Sequence, residues 1–70
     1  MLFRSFLTNE PSSYIRNIRV LNSSNIVVSN ISYPDDRNMT SINISHLSNG
    51  IYTAEVVTTK GKEYKRFIKM

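Results

Sequence analysis

Apolar and polar residues alternate along much of this chain with the period of a strand rather than of a helix. The pattern is clearest over residues 51–59, where Tyr52, Ala54 and Val56 fall on one face and Thr53 and Glu55 on the other. Residues 14–22 alternate as well. Ile18 and Val20 share a face, Arg19 and Leu21 take the opposite one, and Arg16 interrupts the apolar face near its start. The Ile- and Val-rich stretch 26–33 reads as a return strand. Residues 40–45 form a short strand with Ile42 and Ile44 inward, and residues 62–69 a last strand. Residues 2–7 are a weaker candidate, because Phe3 and Phe6 stand three apart. No segment carries a helical period.

Breakers separate these segments. Residues 8–13 read as a loop around Pro11, and residues 34–38 as a polar loop. Ser23-Ser24-Asn25 reads as a hairpin turn in which Asn25 is the residue best able to take a positive φ. A glycine corner spans residues 47–52, and a tight turn is centred on Lys60-Gly61. Five or six short strands at even spacing predict an all-β fold, a small immunoglobulin-like antiparallel β-sandwich of five to seven strands. One such domain accounts for residues 1–70, with no internal repeat or linker. Gly50 and Tyr52 then read as a structural corner. Gly50 supplies a backbone conformation other residues resist, and Tyr52 is placed to return its hydroxyl to upstream backbone, as in the tyrosine corner of sandwiches. Tyr64 and Phe67 are three apart, so both can point inward only with a bulge near Lys65.

Composition narrows the functional classes. A 70-residue chain buries only about 60% of the surface it exposes when unfolded, so its core is modest. There is no cysteine to add a disulfide or a thiolate metal site. No run approaches the roughly 20 apolar residues of a membrane span. Four arginines in residues 1–59 balance four acids, and five cations in residues 60–70 face Glu63 alone. The whole net charge of +4 therefore sits in residues 60–70, the last turn and strand. Clustered cations form a footprint for an acidic partner, and they also protect an edge strand from aggregation.

Site chemistry is sparse. His46 is the single histidine, and the acids are few. Asp35 and Asp36 are adjacent, so on an extended chain they diverge. Asp35-Asp36-Arg37-Asn38 lacks a third carboxylate for Ca²⁺ and reads as a solvated turn. No glycine-rich phosphate loop is present. These absences argue against an enzyme and against a cofactor. Asn22, Asn30, Asn38 and Asn43 head Asn-x-Ser/Thr triplets, which the abundance of Asn and Ser explains by composition. Lys62-Glu63-Tyr64-Lys65-Arg66-Phe67 interleaves cations with aromatics as nucleic-acid binders do. A small sandwich needs those aromatics in its core, however, so nucleic acid is not the expected partner.

The order of motifs from Ile42 to Met70 resembles a known family. Ile-Asn-Ile-Ser-His-Leu-Ser-Asn-Gly-Ile-Tyr at 42–52, the alternating strand, the Lys60-Gly61 turn and the basic end Tyr64-Lys65-Arg66-Phe67-Ile68-Lys69 are similar to the type A C-terminal sorting domain of the type IX secretion system. The family typically reads hydrophobic-Asp-hydrophobic-Ser-x-Leu-x-x-Gly-hydrophobic-Tyr, then a strand, a glycine turn and a basic strand at the chain end. Ile18-Arg19-Val20-Leu21-Asn22-Ser23-Ser24-Asn25-Ile26-Val27-Val28 fits its earlier strand–turn–strand. Asn25 stands where the family usually has Gly, Leu21 where Tyr is common, and Ser48 where Pro is common. The family's Tyr-Pro-Asn-Pro motif is absent. Small secreted immunoglobulin-like proteins of the Bacteroidetes share the Gly-x-Tyr corner and the terminal hairpin, so a resemblance to an adhesion or carbohydrate-associated module competes on the same residues.

The sorting-domain resemblance implies a non-catalytic C-terminal domain of a larger secreted protein. It would cross the periplasm, be recognised by outer-membrane secretion machinery, and end at the outer-membrane surface or outside the cell. On that reading the recognition residues are Lys62, Lys65, Arg66, Lys69 and Met70. An unpaired strand edge would also offer a template for a homodimer.

Overall fold

A computed structural model describes residues 3–7 and 12–70 of the chain. Six strands run in order: β1 (Phe3–Leu7), β2 (Ile15–Leu21), β3 (Val27–Ser32), β4 (Met39–Asn43), β5 (Gly50–Thr58) and β6 (Gly61–Lys69). They form a two-stranded sheet, β1-β4, and a four-stranded sheet in the order β3-β2-β5-β6, every pairing antiparallel. No helix occurs among the described residues. The all-β expectation holds, with six strands in a small two-sheet arrangement. Of the expected first loop, residues 8–11 lie outside the described residues, as does Leu2.

The core lies where the inward residues of both sheets meet. Ile15, Ile18, Val20, Tyr52, Ala54, Val56 and Phe67 come from the larger sheet, Phe6 and Ile42 from the smaller, and Ile44 and Leu47 from the segment after β4. Three aromatic rings bridge the sheets. Phe67 stacks on Tyr52 with centroids 5.6 Å apart and meets Phe6 edge-on at 6.4 Å. The irregular β1 pattern has a simple resolution. Arg4 and Phe6 share a face, Phe6 is buried, and Arg4 lays its guanidinium 5.6 Å from the Phe67 ring centroid. Phe3 lies on the opposite side and is exposed.

The interruption at Arg16 has a physical counterpart. The β2–β5 register slips between Ile15 and Asn17, so Ile15 is buried as well as Ile18 although they are three apart. Arg16 then reaches the 34–38 loop, donating to the Asp35 carbonyl at 2.9 Å and to Asp36 Oδ1 at 2.9 Å. Arg37 pairs with Asp35 through two bonds of 2.8 Å and sits 4.4 Å over the Tyr33 ring. Both loop acids are thus held by arginines. The Arg37 bond keeps the Asp35 carboxyl below its ordinary range.

Turn chemistry follows the sequence closely in one hairpin and shifts by a residue in the other. Asn25 takes φ 62°, the left-handed conformation expected of it. Asn22 Oδ1 ties the same turn by accepting from the Ser24 and Ile26 amides. In the β5–β6 hairpin the turn residues are Thr59 and Lys60, while Gly61, at φ 140°, already pairs with Thr58 as the first residue of β6. The turn is therefore centred one residue earlier than Lys60-Gly61. Thr58 holds it, donating its hydroxyl to the Gly61 carbonyl at 3.0 Å and accepting from the Lys60 amide at 3.2 Å.

Candidate functional site

The corner and the terminal hairpin carry every candidate residue. After β4 the chain turns through Ile44–Asn49, with the Leu47 amide donating to the Ile44 carbonyl at 3.0 Å. Asn43 Oδ1 accepts from the Ser45 amide at 2.9 Å and from the Ser45 hydroxyl. Gly50 then opens β5 with φ 159°, at the margin of the range that residues with a Cβ avoid. Tyr52, buried two residues later, donates its hydroxyl to the Ser48 carbonyl at 2.6 Å. The phenol thus fixes the loop that precedes its own strand. Gly50 and Tyr52 stand two residues apart at the point where the loop enters β5.

β5 and β6 pair without interruption from Gly50↔Lys69 to Thr58↔Gly61. The bulge anticipated near Lys65 is therefore absent, and strict alternation decides where each side chain goes. Phe67 points inward and is 4% exposed, whereas Tyr64 points outward and is 64% exposed. Tyr64 is not a core residue. The expectation that a small core would claim both aromatics fails because Phe6, Tyr52 and Phe67 already fill the space between the sheets.

The same alternation splits the cations of the last strand. Lys65 and Lys69 share the inward side with Phe67 and are half-buried. Lys69 Nζ donates to the Leu47 carbonyl at 2.8 Å, tying the end of β6 to the corner. Lys65 Nζ reaches the Leu7 carbonyl at 3.4 Å and lies 4.0 Å from Glu63 Oε1. Lys62 and Arg66 lie on the outward side and are exposed, alongside Ile68; Met70, just beyond the strand, is 91% exposed. β6 is an edge strand: among the described residues β5 is its one hydrogen-bonded neighbour.

Glu55 falls on the polar side of β5 yet is only 7% exposed. Arg19, directly across on β2, donates Nε–H to Glu55 Oε1 at 2.9 Å, and Tyr64, directly across on β6, donates its hydroxyl to Oε2 at 3.2 Å. The Arg19 bond is the main reason the Glu55 carboxyl titrates below its ordinary range; the Tyr64 hydroxyl and the Lys62 charge act in the same direction. Arg19 and Glu55 are 36 residues apart, so only the strand register reveals the trio. Beside it, Asn22, Ser23, Asn25, Ile51, Thr53 and Arg66 line an open cleft of about 300 Å³. Among the described residues no group of three or more His, Asp or Glu could hold a metal ion.

The profile of the secretion system C-terminal sorting domain family matches residues 5–70, essentially the whole chain. The chain belongs to that family. The family is the sorting domain of type IX secretion, so membership implies export to the cell surface or the extracellular space. No curated protein and no solved structure matches the chain. Among the described residues no helix is long and apolar enough to cross a membrane.

Proposed function

We propose that this chain is a non-catalytic sorting domain, carried at the C-terminus of a larger secreted protein and recognised in the periplasm by outer-membrane type IX machinery. The family match supports the sorting role. The observation that carries the location of the signal is the placement of β6, an edge strand that holds four of the five clustered cations and leads into the exposed Met70. Lys62, Lys65, Arg66, Lys69 and Met70 are the residues this reading assigns to recognition. The corner built on Gly50 and Tyr52 holds the hairpin in place. An open edge is also a template for pairing, which gives the partner a second means of engagement besides side chains.

The test is a reporter with an ordinary periplasmic signal, fused ahead of residues 1–70 and expressed in a type IX-competent host. Export to the medium or cell surface is expected for the fusion and not for the reporter alone. In a host lacking the outer-membrane translocation machinery, the fusion is expected to stay in the periplasm. Export in that host, or export that survives removal of residues 62–70, would overturn the proposal.

A further inference from the structure

We infer that the signal is read from the outward face of the β5–β6 hairpin, by a protein surface that is apolar at one end, opposite Ile51 and Ile68, and acidic along the rest. This rests on the sorting reading above and narrows it from a strand to one face of that strand.

The inward lysines are already engaged. Lys65 and Lys69 are half-buried and spend their ammonium donors on the Leu7 and Leu47 carbonyls, which pins β6 to the end of β1 and to the corner. Lys62 and Arg66 make no hydrogen bond or ion pair among the described residues, and both are exposed. They project from the same side of β6, about 13 Å apart along the strand.

The apolar part of the face is equally specific. Ile51 and Ile68 are cross-strand partners, yet they remain 50% and 63% exposed. One exposed isoleucine is unremarkable, but a facing pair is a small apolar platform. In the next row Thr53 pairs with Leu21 on one side and Arg66 on the other, and the open cleft lies beside them. In the row beyond, Arg19 and Tyr64 hold Glu55. That trio binds both oxygens of the one acid on the face and ties β2, β5 and β6 together, leaving Arg66 without an acid and Lys62 with only a through-space attraction to Glu55. A surface with an apolar pair, a tyrosine and an arginine has the composition of a protein interface. A polyanion such as nucleic acid or a charged membrane would use the cations and leave the isoleucine pair without a role. The complement that uses both is a protein patch combining carboxylates with apolar side chains.

Three double variants in the exported reporter separate the faces: Lys62→Gln with Arg66→Gln, Ile51→Ser with Ile68→Ser, and Lys65→Gln with Lys69→Gln. Each purified domain is also unfolded in urea. The outward charge pair and the isoleucine pair are each expected to cut export roughly tenfold with little change in urea midpoint. The inward pair is expected to lower the midpoint, with export falling only as far as that loss explains. Lys62→Arg with Arg66→Lys is expected to export like the parent. If both outward pairs export normally while deletion of the whole domain abolishes export, the face assignment is wrong and the sorting reading stands. If deletion of the domain leaves export intact, the sorting reading itself has failed. Purified fusion that binds phosphatidylglycerol vesicles through Lys62 and Arg66, while the isoleucine pair has no effect on export, would point to a membrane surface and overturn the inference.

Discussion

On the inward face of the β5–β6 hairpin, Tyr52, Ala54, Val56 and Phe67 are buried against the smaller sheet, and even its lysines donate to backbone carbonyls. On the outward face Ile51, Tyr64 and Ile68 are exposed by half or more, and Glu55 is the one residue drawn out of solvent. The two faces share one backbone and one register. Their difference shows that charge type alone says little about role. Five cations crowd into eleven residues, yet within β6 the parity of each position decides whether it bonds to a backbone carbonyl or stands in solvent.

The largest effect should come from the inward face. Phe67→Ala removes the ring that meets both Tyr52 and Phe6, at a cost of about 3–5 kcal/mol. For a 70-residue domain that is a large share of the total stability, so the variant should be largely unfolded by near-UV circular dichroism. Next, Tyr52→Phe deletes the 2.6 Å bond to Ser48 and should cost about 1 kcal/mol, seen as a lower urea midpoint at unchanged slope. Lys69→Gln removes the 2.8 Å tie to Leu47 and should cost a similar amount, about 1 kcal/mol, in the same measurement. An equally stable Lys69→Gln protein would show that the inward lysines fasten nothing.

The outward face gives the smaller effects. Arg19 lowers the Glu55 carboxyl below its ordinary range in the folded protein. A depressed carboxylate contributes stability that is present above its unfolded value and is lost as pH falls through its folded value. Urea midpoints of the parent and of Glu55→Gln should therefore differ most at neutral pH and converge as pH drops below the ordinary carboxylate range. A gap that widened on acidification would mean that Arg19 does not favour the charged form. Smallest of all, Ile68→Ser should change stability by no more than about 0.5 kcal/mol, because its side chain covers little.

Local patterns carried much of this architecture. Ile18, Val20, Ile42, Tyr52, Ala54 and Val56 all point inward as their alternation predicts, because a half-buried strand has no other way to satisfy both faces, and Ile44 is buried just past the end of β4. Asn25 and the Gly50–Tyr52 corner were legible for the same reason: their conformations are set by residues within a few positions. What escaped the sequence depends on register. Tyr64 looked like core because aromatic residues usually are, yet an unbroken pairing with β5 turns it outward. The burial of Glu55 needs Arg19 and Tyr64 beside it, on strands that only the sheet brings together. The unequal roles of Lys65, Lys69, Lys62 and Arg66 depend on which carbonyls the neighbouring sheet and corner supply, and composition does not encode that.

The most direct test of the division between frame and signal is export plotted against urea midpoint for single substitutions on both faces of β5 and β6. Inward variants are expected to fall on one curve, on which export declines only as stability does. Variants at Lys62, Arg66, Ile51 and Ile68 are expected to lie well below that curve, with near-parental midpoints and poor export. If the outward variants fall on the same curve as the inward ones, the two faces share one role and the hairpin is frame throughout.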